Sequence, residues 1–212
     1  MKRIWILKIA VFLACLVPLA RLGWKAYNDA LGANPIEVIT HSTGDWTIIF
    51  LLITLSITPL RKLTGQHWLI RFRRMIGLFA FFYVCLHFTT YIWLDKFFDV
   101  GEMLKDVGKR PFITVGFLGF VMLIPLAVTS TQGMIRLLGK NWAKLHYLIY
   151  LTATAGVIHY WWLVKADHRY PAIYAAILSV LLGYRVVTWA FKRVQPAPQR
   201  PTASRPQAAT AD

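Results

Sequence analysis

Two histidines set deep in apolar sequence carry the strongest chemical signal in this chain. His87 lies in LFAFFYVCLHFTTYIW and His159 in YLTATAGVIHYWWLV. An ionisable side chain inside such a run is expensive to bury in a bilayer, and so marks a functional site by default. His87 comes 12 residues after Met75 and His159 comes 14 after Leu145, the starts of their predicted helices. At 1.5 Å per residue both sit about 18–21 Å along helices that run the same way. Two imidazoles at one depth can supply both axial nitrogens of a single haem iron, with Phe88, Tyr91, Tyr160 and Trp161 near its faces. The plainer alternative is an interhelical hydrogen bond at each histidine. The matched depth favours the haem.

His146 precedes His159 by 13 residues. On an unbroken helix that spacing rotates it by about 220°, so the two would not share a face. At its depth the third helix offers Arg73 and Arg74. Arginine is a poor iron ligand but pairs well with a haem propionate. Residue spacing therefore leaves both readings of His146 open, ligand of a second haem or structural residue. His41, in ITHSTGDW, is expected to make a capping or loop contact before the second span. His67 and His168 flank helices and are expected to be solvated. Arg185 is expected to snorkel toward Lys192, with contact to an anionic cofactor group as the alternative.

The elements that must hold these residues are transmembrane helices. Of 212 residues, 57% are hydrophobic and only 16% charged, too apolar for a wet-surfaced soluble domain. Two cysteines, Cys15 and Cys85, exclude a disulfide scaffold or a Cys-ligated metal cluster. No CxxCH, GxGxxG or GxxxxGK[ST] occurs, which removes covalent haem attachment and the usual nucleotide-binding signatures. The reading is an all-α bundle of six spans: Trp5–Leu22, Trp46–Leu60 (ended by Pro59), Met75–Leu94, Phe112–Val128, Leu145–Val164 and Tyr170–Phe191. The first resembles a signal peptide, but no A-x-A site follows and the bundle needs it, so it is expected to be retained.

The formal charge of +15 would suggest nucleic acid in a soluble protein. Here the basic residues lie between apolar runs, so no nucleic-acid partner is expected. Arg61, Lys62, Arg71, Arg73, Arg74, Arg136, Lys140, Lys144 and both terminal segments crowd one side of the topology. Asp29, Glu37, Asp95, Asp99, Glu102, Asp106 and Asp167 fall on the other. The positive-inside rule then puts both termini in the cytoplasm. Residues 1–194 form the membrane domain, and the Pro-rich segment 195–212 is expected to be a disordered cytoplasmic tail. Asp95–Arg110 is expected to include a short surface helix, with Phe97, Val100, Leu104 and Val107 at helical spacing. Trp5, Trp24, Trp46, Trp93, Trp162 and Trp189 suit an interfacial belt.

Three segments, LGANPIEVITHSTGDW, RFRRMIGLFAFFYVCLHF and TSTQGMIRLLGKNWAKLHYLIYLTATAGVIHYWWLVKAD, resemble the MsrQ (YedZ) family, within the wider ferric reductase-like transmembrane group. The resemblance runs from Met1 to about Val194. It implies a multi-pass subunit of the bacterial inner membrane that carries electrons through b-type haem to the periplasmic molybdopterin subunit MsrP, which repairs methionine sulfoxide. It implies His87 and His159 as outer haem ligands and His146 as a ligand of an inner haem. The chain departs from the NADPH oxidase pattern at Arg73, where those proteins carry a histidine one spacing before His87. It also implies FMN, for which no motif marks a site. No dehydrogenase domain is present, so electrons must arrive from quinol or a separate reduced flavin carrier. The chain would be a non-catalytic redox subunit, with Asn28–Asp45, Asp95–Arg110 and Lys165–Tyr170 as candidate docking loops. The competing class is a transporter or proton pathway that uses the same histidines.

Overall fold

The computed structural model describes residues 2–194, and the expected tail at 195–212 lies outside the described residues. Nine α-helices follow one another among the described residues, with no strand: α1 (Lys2–Tyr27), α2 (Pro35–Thr64), α3 (Ile70–Thr90), α4 (Val100–Lys109), α5 (Pro111–Val128), α6 (Gln132–Leu138), α7 (Lys140–Leu145), α8 (Leu148–Leu163) and α9 (Arg169–Val194). Five stretches are long and apolar enough to cross a bilayer: Ile4–Tyr27, Pro35–Thr64, His67–Asp95, Pro111–Val128 and Arg169–Phe191. The expected span at Leu145–Val164 is shorter than predicted. The chain turns through His146 and Tyr147, leaving α8 with 16 residues. That is about 24 Å of helix against a hydrocarbon core of roughly 30 Å.

The largest departure from expectation is α2. Its 30 residues absorb the predicted loop at Asn28–Asp45 from Pro35 onward. Asn34 caps it by accepting the Glu37 N–H, and Pro35 occupies the first turn, where its missing N–H is harmless. His41 is therefore a helical residue, not a loop residue. At the other end Pro59 does not stop the helix. A proline deprives the carbonyl four residues back of its donor, here Leu55. The Arg185 guanidinium of α9 donates to that carbonyl through Nη2 at 2.7 Å. Arg185 also donates to the Leu181 carbonyl and the Tyr150 hydroxyl. It thus reaches back into the bundle rather than toward Lys192, following the N-terminal tilt of helical side chains.

Helix α2 is the centre of the bundle. Its Phe50, Leu51 and Ile57 join Cys15, Phe72, Phe79, Tyr83, Leu123 and Leu126 in one core cluster. Its Ile48, Leu52 and Leu55 join Ala153, Val157, Leu178 and Leu181 in another. Trp46 packs on Phe50 and leaves the expected belt, whereas Trp5, Trp24, Trp93, Trp162 and Trp189 remain exposed. Helix α1 is tied in by the fully buried Tyr83. Its hydroxyl donates to the Cys15 carbonyl at 2.9 Å and accepts the Leu19 N–H at 3.1 Å, beside Pro18. Much of the remaining surface of α1 and α9 is apolar, as lipid requires.

Past α3 the chain widens into a π turn at Tyr91–Asp95 and enters α4 through Phe97 and Phe98, both at positive φ. The expected surface helix is therefore α4 alone, without Phe97. Asp99 caps it by accepting the Glu102 N–H at 2.9 Å. One polar residue turns inward: Asp106 is buried, with Lys96 Nζ at 2.7 Å and Arg110 Nε at 3.4 Å. Phe97, Phe98, Val100 and Leu104 are left exposed, as suits an interfacial segment.

Lys96 beside it holds the Asp106 carboxyl below the ordinary carboxylate range, and Asp106 in turn holds Lys96 above the usual lysine range. The pair's stabilisation is complete between about pH 4 and pH 10. It is lost as pH falls through the depressed value of Asp106, and again as pH rises through the elevated value of Lys96. Asp106→Asn is expected to ease local opening of residues 96–110 by about 1.5–3 kcal/mol, the worth of a charged hydrogen bond. Hydrogen exchange of this segment in the variant and in the wild type, both at neutral pH, checks it.

Candidate haem site

The structure brings His87 and His159 together. Their ring centroids are 6.1 Å apart and their planes lie at 79°. Each ring is held in the same way. His87 Nδ1 is 3.0 Å from the Thr40 carbonyl of α2, and His159 Nδ1 is 2.6 Å from the Phe112 carbonyl of α5. A carbonyl only accepts, so each Nδ1 carries the proton and each Nε2 keeps its lone pair outward. Each carbonyl can take the histidine as an additional partner because a carbonyl oxygen has two lone pairs.

Glycine makes the space for each ring. A Cβ on Gly44 would stand 3.2 Å from the His87 ring, and a Cβ on Gly116 would stand 2.6–3.0 Å from the His159 ring. Gly44 follows Thr40 by one turn, and Gly116 follows Phe112 by one turn. In both cases the histidine comes 47 residues after the carbonyl that holds it. The α2–α3 and α5–α8 pairs, the two most closely packed in the bundle, thus present one histidine each with the same carbonyl and glycine backing. This duplication was readable as a recurring Gly–His spacing but went unnoticed in the sequence.

The dimensions fit a shared metal. An imidazole nitrogen sits about 2.0–2.1 Å from a bound transition metal, and about 1.1 Å separates that nitrogen from its ring centre. Two imidazoles that share one metal have ring centres no more than about 6.3 Å apart, and these two stand 6.1 Å apart. Among the described residues no three His, Cys, Asp or Glu side chains gather into a metal cage, so the histidine pair is what the bundle offers.

The neighbouring aromatics are placed differently from expectation. Trp161 stacks on His168, so His168 is packed rather than solvated, with its Nδ1 buried and unpartnered among the described residues. Tyr91 reaches toward Asp106. Phe88 packs on Phe117 and Phe120 of α5. Tyr160 packs against Tyr174 of α9 and lies beside Asp45 of α2. Asp45 is a carboxyl at membrane depth that sequence reasoning left inside a loop.

His146 and Arg73 lie elsewhere. Arg73 precedes His87 by 14 residues, about 21 Å along α3. His146 stacks on Trp142 at 3.9 Å, and its Nδ1 is 3.1 Å from the Trp142 carbonyl. Its Nε2 is buried and unpartnered among the described residues. The turn between α7 and α8 removes the 220° objection, since the two histidines of this segment do not share a continuous helix. Arg73 lies within electrostatic reach of His146, Arg61 and Arg185. The basic end of the bundle thus gathers three guanidiniums, whereas every ion pair among the described residues lies elsewhere.

Residues 43–157 match the family described as ferric reductase like transmembrane component. A protein-methionine-sulfoxide reductase heme-binding subunit MsrQ from Herminiimonas arsenicoxydans is 58% identical over 191 residues, covering 89% of this chain and 87% of that protein. Proteins of the same name from Xanthomonas campestris pv. campestris strain 8004 and Bordetella pertussis are 54% and 51% identical. They cover 84% and 86% of this chain and 85% and 90% of their own lengths. No solved structure matches the chain.

The glycine contacts make a graded expectation. Gly116→Ala puts a carbon inside the van der Waals limit of the His159 ring, so bound haem should fall several-fold and the remaining low-spin spectrum should shift. Gly44→Ala, with its looser contact, should do less. Haem quantification and the reduced absorbance spectrum of the two purified variants, beside the wild type, check it.

Proposed function

The chain belongs to the MsrQ family of ferric reductase-like transmembrane proteins, and from that membership we propose that it is an electron-transfer subunit with haem b held between His87 and His159. The observation that carries the reading is the 6.1 Å ring separation, with each Nδ1 tied to a backbone carbonyl. Haem b, when bound, supplies one-electron redox chemistry. The protein's part is to fix the tautomer and angle of both rings, to exclude water with Phe88, Phe117 and Phe120, and to hold the centre within reach of one membrane face. His87→Ala and His159→Ala should each abolish the low-spin spectrum in a chain that still folds. Wild-type haem content and spectrum in both variants would overturn the assignment.

The charge distribution supports six crossings of the bacterial inner membrane with both termini cytoplasmic, α8 completing its crossing through the turn before it. The histidine pair is then nearer the periplasm. Electrons enter from quinol or a reduced flavin carrier and leave to the periplasmic subunit MsrP, in support of methionine sulfoxide repair. At the cytoplasmic end His146, with the Leu126 carbonyl near its ring, and Arg73 within electrostatic reach are the residues that would meet an inner haem and its propionate. FMN remains implied by family likeness alone. Docking of MsrP falls to the Asp95–Arg110 segment around α4, whose charges of both signs balance, with Asp99 and Glu102 on the surface. Asp106 is engaged with Lys96 and belongs to the fold rather than to docking.

A further inference from the structure

Three titratable residues stand at one-turn intervals on α2: Glu37, His41 and Asp45. Residues four apart on a helix are neighbours on one face. Glu37 and His41, at the acidic end, have side chains 61% and 41% exposed, with a carboxylate oxygen 3.8 Å from His41 Nε2. Asp45 is one turn further in and half-buried. It lies beside the Tyr160 hydroxyl of α8, with Tyr174 of α9 next to that tyrosine. Its helical neighbour Gly44 packs on the His87 ring of α3. The groups that face Asp45 are therefore His41 on its own helix, Tyr160 on α8 and Tyr174 on α9. His87 lies within electrostatic reach of His41.

A half-buried carboxyl within an apolar helix, in no ion pair among the described residues, is costly unless it is used. We propose that Glu37, His41 and Asp45 form a proton path that carries one proton between the water at the acidic end and Asp45 as the centre between His87 and His159 gains or loses an electron. This rests on the reading of that pair as ligands of a redox centre. One electron added there places extra negative charge in a low-dielectric interior, which favours proton binding at a nearby carboxylate. The proton enters from water at Glu37. Histidine accepts it on one ring nitrogen and releases the other proton, and an O–H bond forms on Asp45. Loss of the electron reverses each transfer, so one proton balances one electron. The Tyr160 hydroxyl stands on the side of Asp45 that faces α8 and can donate to its carboxylate.

The test is a redox titration of the purified, haem-loaded protein across pH, with infrared difference spectra of the reduced and oxidised forms. The midpoint potential should fall as pH rises in the wild type, and a carboxylic C=O band should appear on reduction. Asp45→Asn should flatten that slope and remove the band, with haem content unchanged. Asp45→Glu should restore both, which separates the role from a folding effect. His41→Phe should keep the slope but slow the proton step after rapid reduction several-fold. A pH-independent wild-type potential, or the same slope and band in Asp45→Asn, would overturn the proposal. Proton uptake in His41→Phe at the wild-type rate would overturn the path. Failure of the haem reading is distinct, because the Soret band itself would then be missing.

Discussion

The guanidinium of Arg185 on the Leu55 carbonyl is the contact that lets α2 run as one helix. In an apolar medium a backbone carbonyl without a donor is costly, and Pro59 creates one. With that carbonyl satisfied, α2 reaches from Pro35 to Thr64 and takes part in both core clusters. Everything at the acidic end depends on its first turns. They supply the Thr40 carbonyl, the Gly44 gap, and the line from Glu37 to Asp45. An arginine that composition alone would assign to the lipid–water boundary is instead a structural part of the bundle.

The histidine pair illustrates how few side chains are needed to bring two imidazoles face to face. Two helix pairs each contribute one imidazole, one carbonyl and one glycine at equal spacings. The carbonyls choose the tautomer, the glycines set how far each ring can retreat, and packing of Phe88 on α5 fixes the distance between the pairs. The separation of charge along the bundle complements this. The acids gather at the end nearer the pair, and three arginines converge at the other with His146. A single membrane bundle thereby offers two chemically different ends.

Helix α4 carries both apolar and charged side chains on its open side. Asp106 alone turns inward, to Lys96, while Val100, Leu104, Glu102, Lys105 and Lys109 face out. That arrangement suits a membrane boundary, where apolar residues can enter lipid and charges reach headgroups or water. The apolar spacing alone marks a helix here, but which face is covered depends on Lys96, which lies outside the helix.

The sequence by itself determined the class of the molecule. Long apolar runs demand helices, basic residues are concentrated on one side while nearly all acids fall on the other, and His87 and His159 stand out because ionisable groups in lipid are rare. The segments that identify the family were legible too. What spacing could not supply was whatever depends on a partner distant in the chain. Pro59 reads as a stop until Arg185, on the last helix, satisfies Leu55. The THSTGDW segment reads as a loop until Asn34 and Pro35 start a helix there, so Asp45 went unseen as an intramembrane carboxyl. The rotation argument about His146 assumed a continuous helix that the α7–α8 turn breaks. Periodicity records which residues are apolar and how often. Only packing decides which backbone groups find donors, and in a membrane that is what sets where helices begin and end.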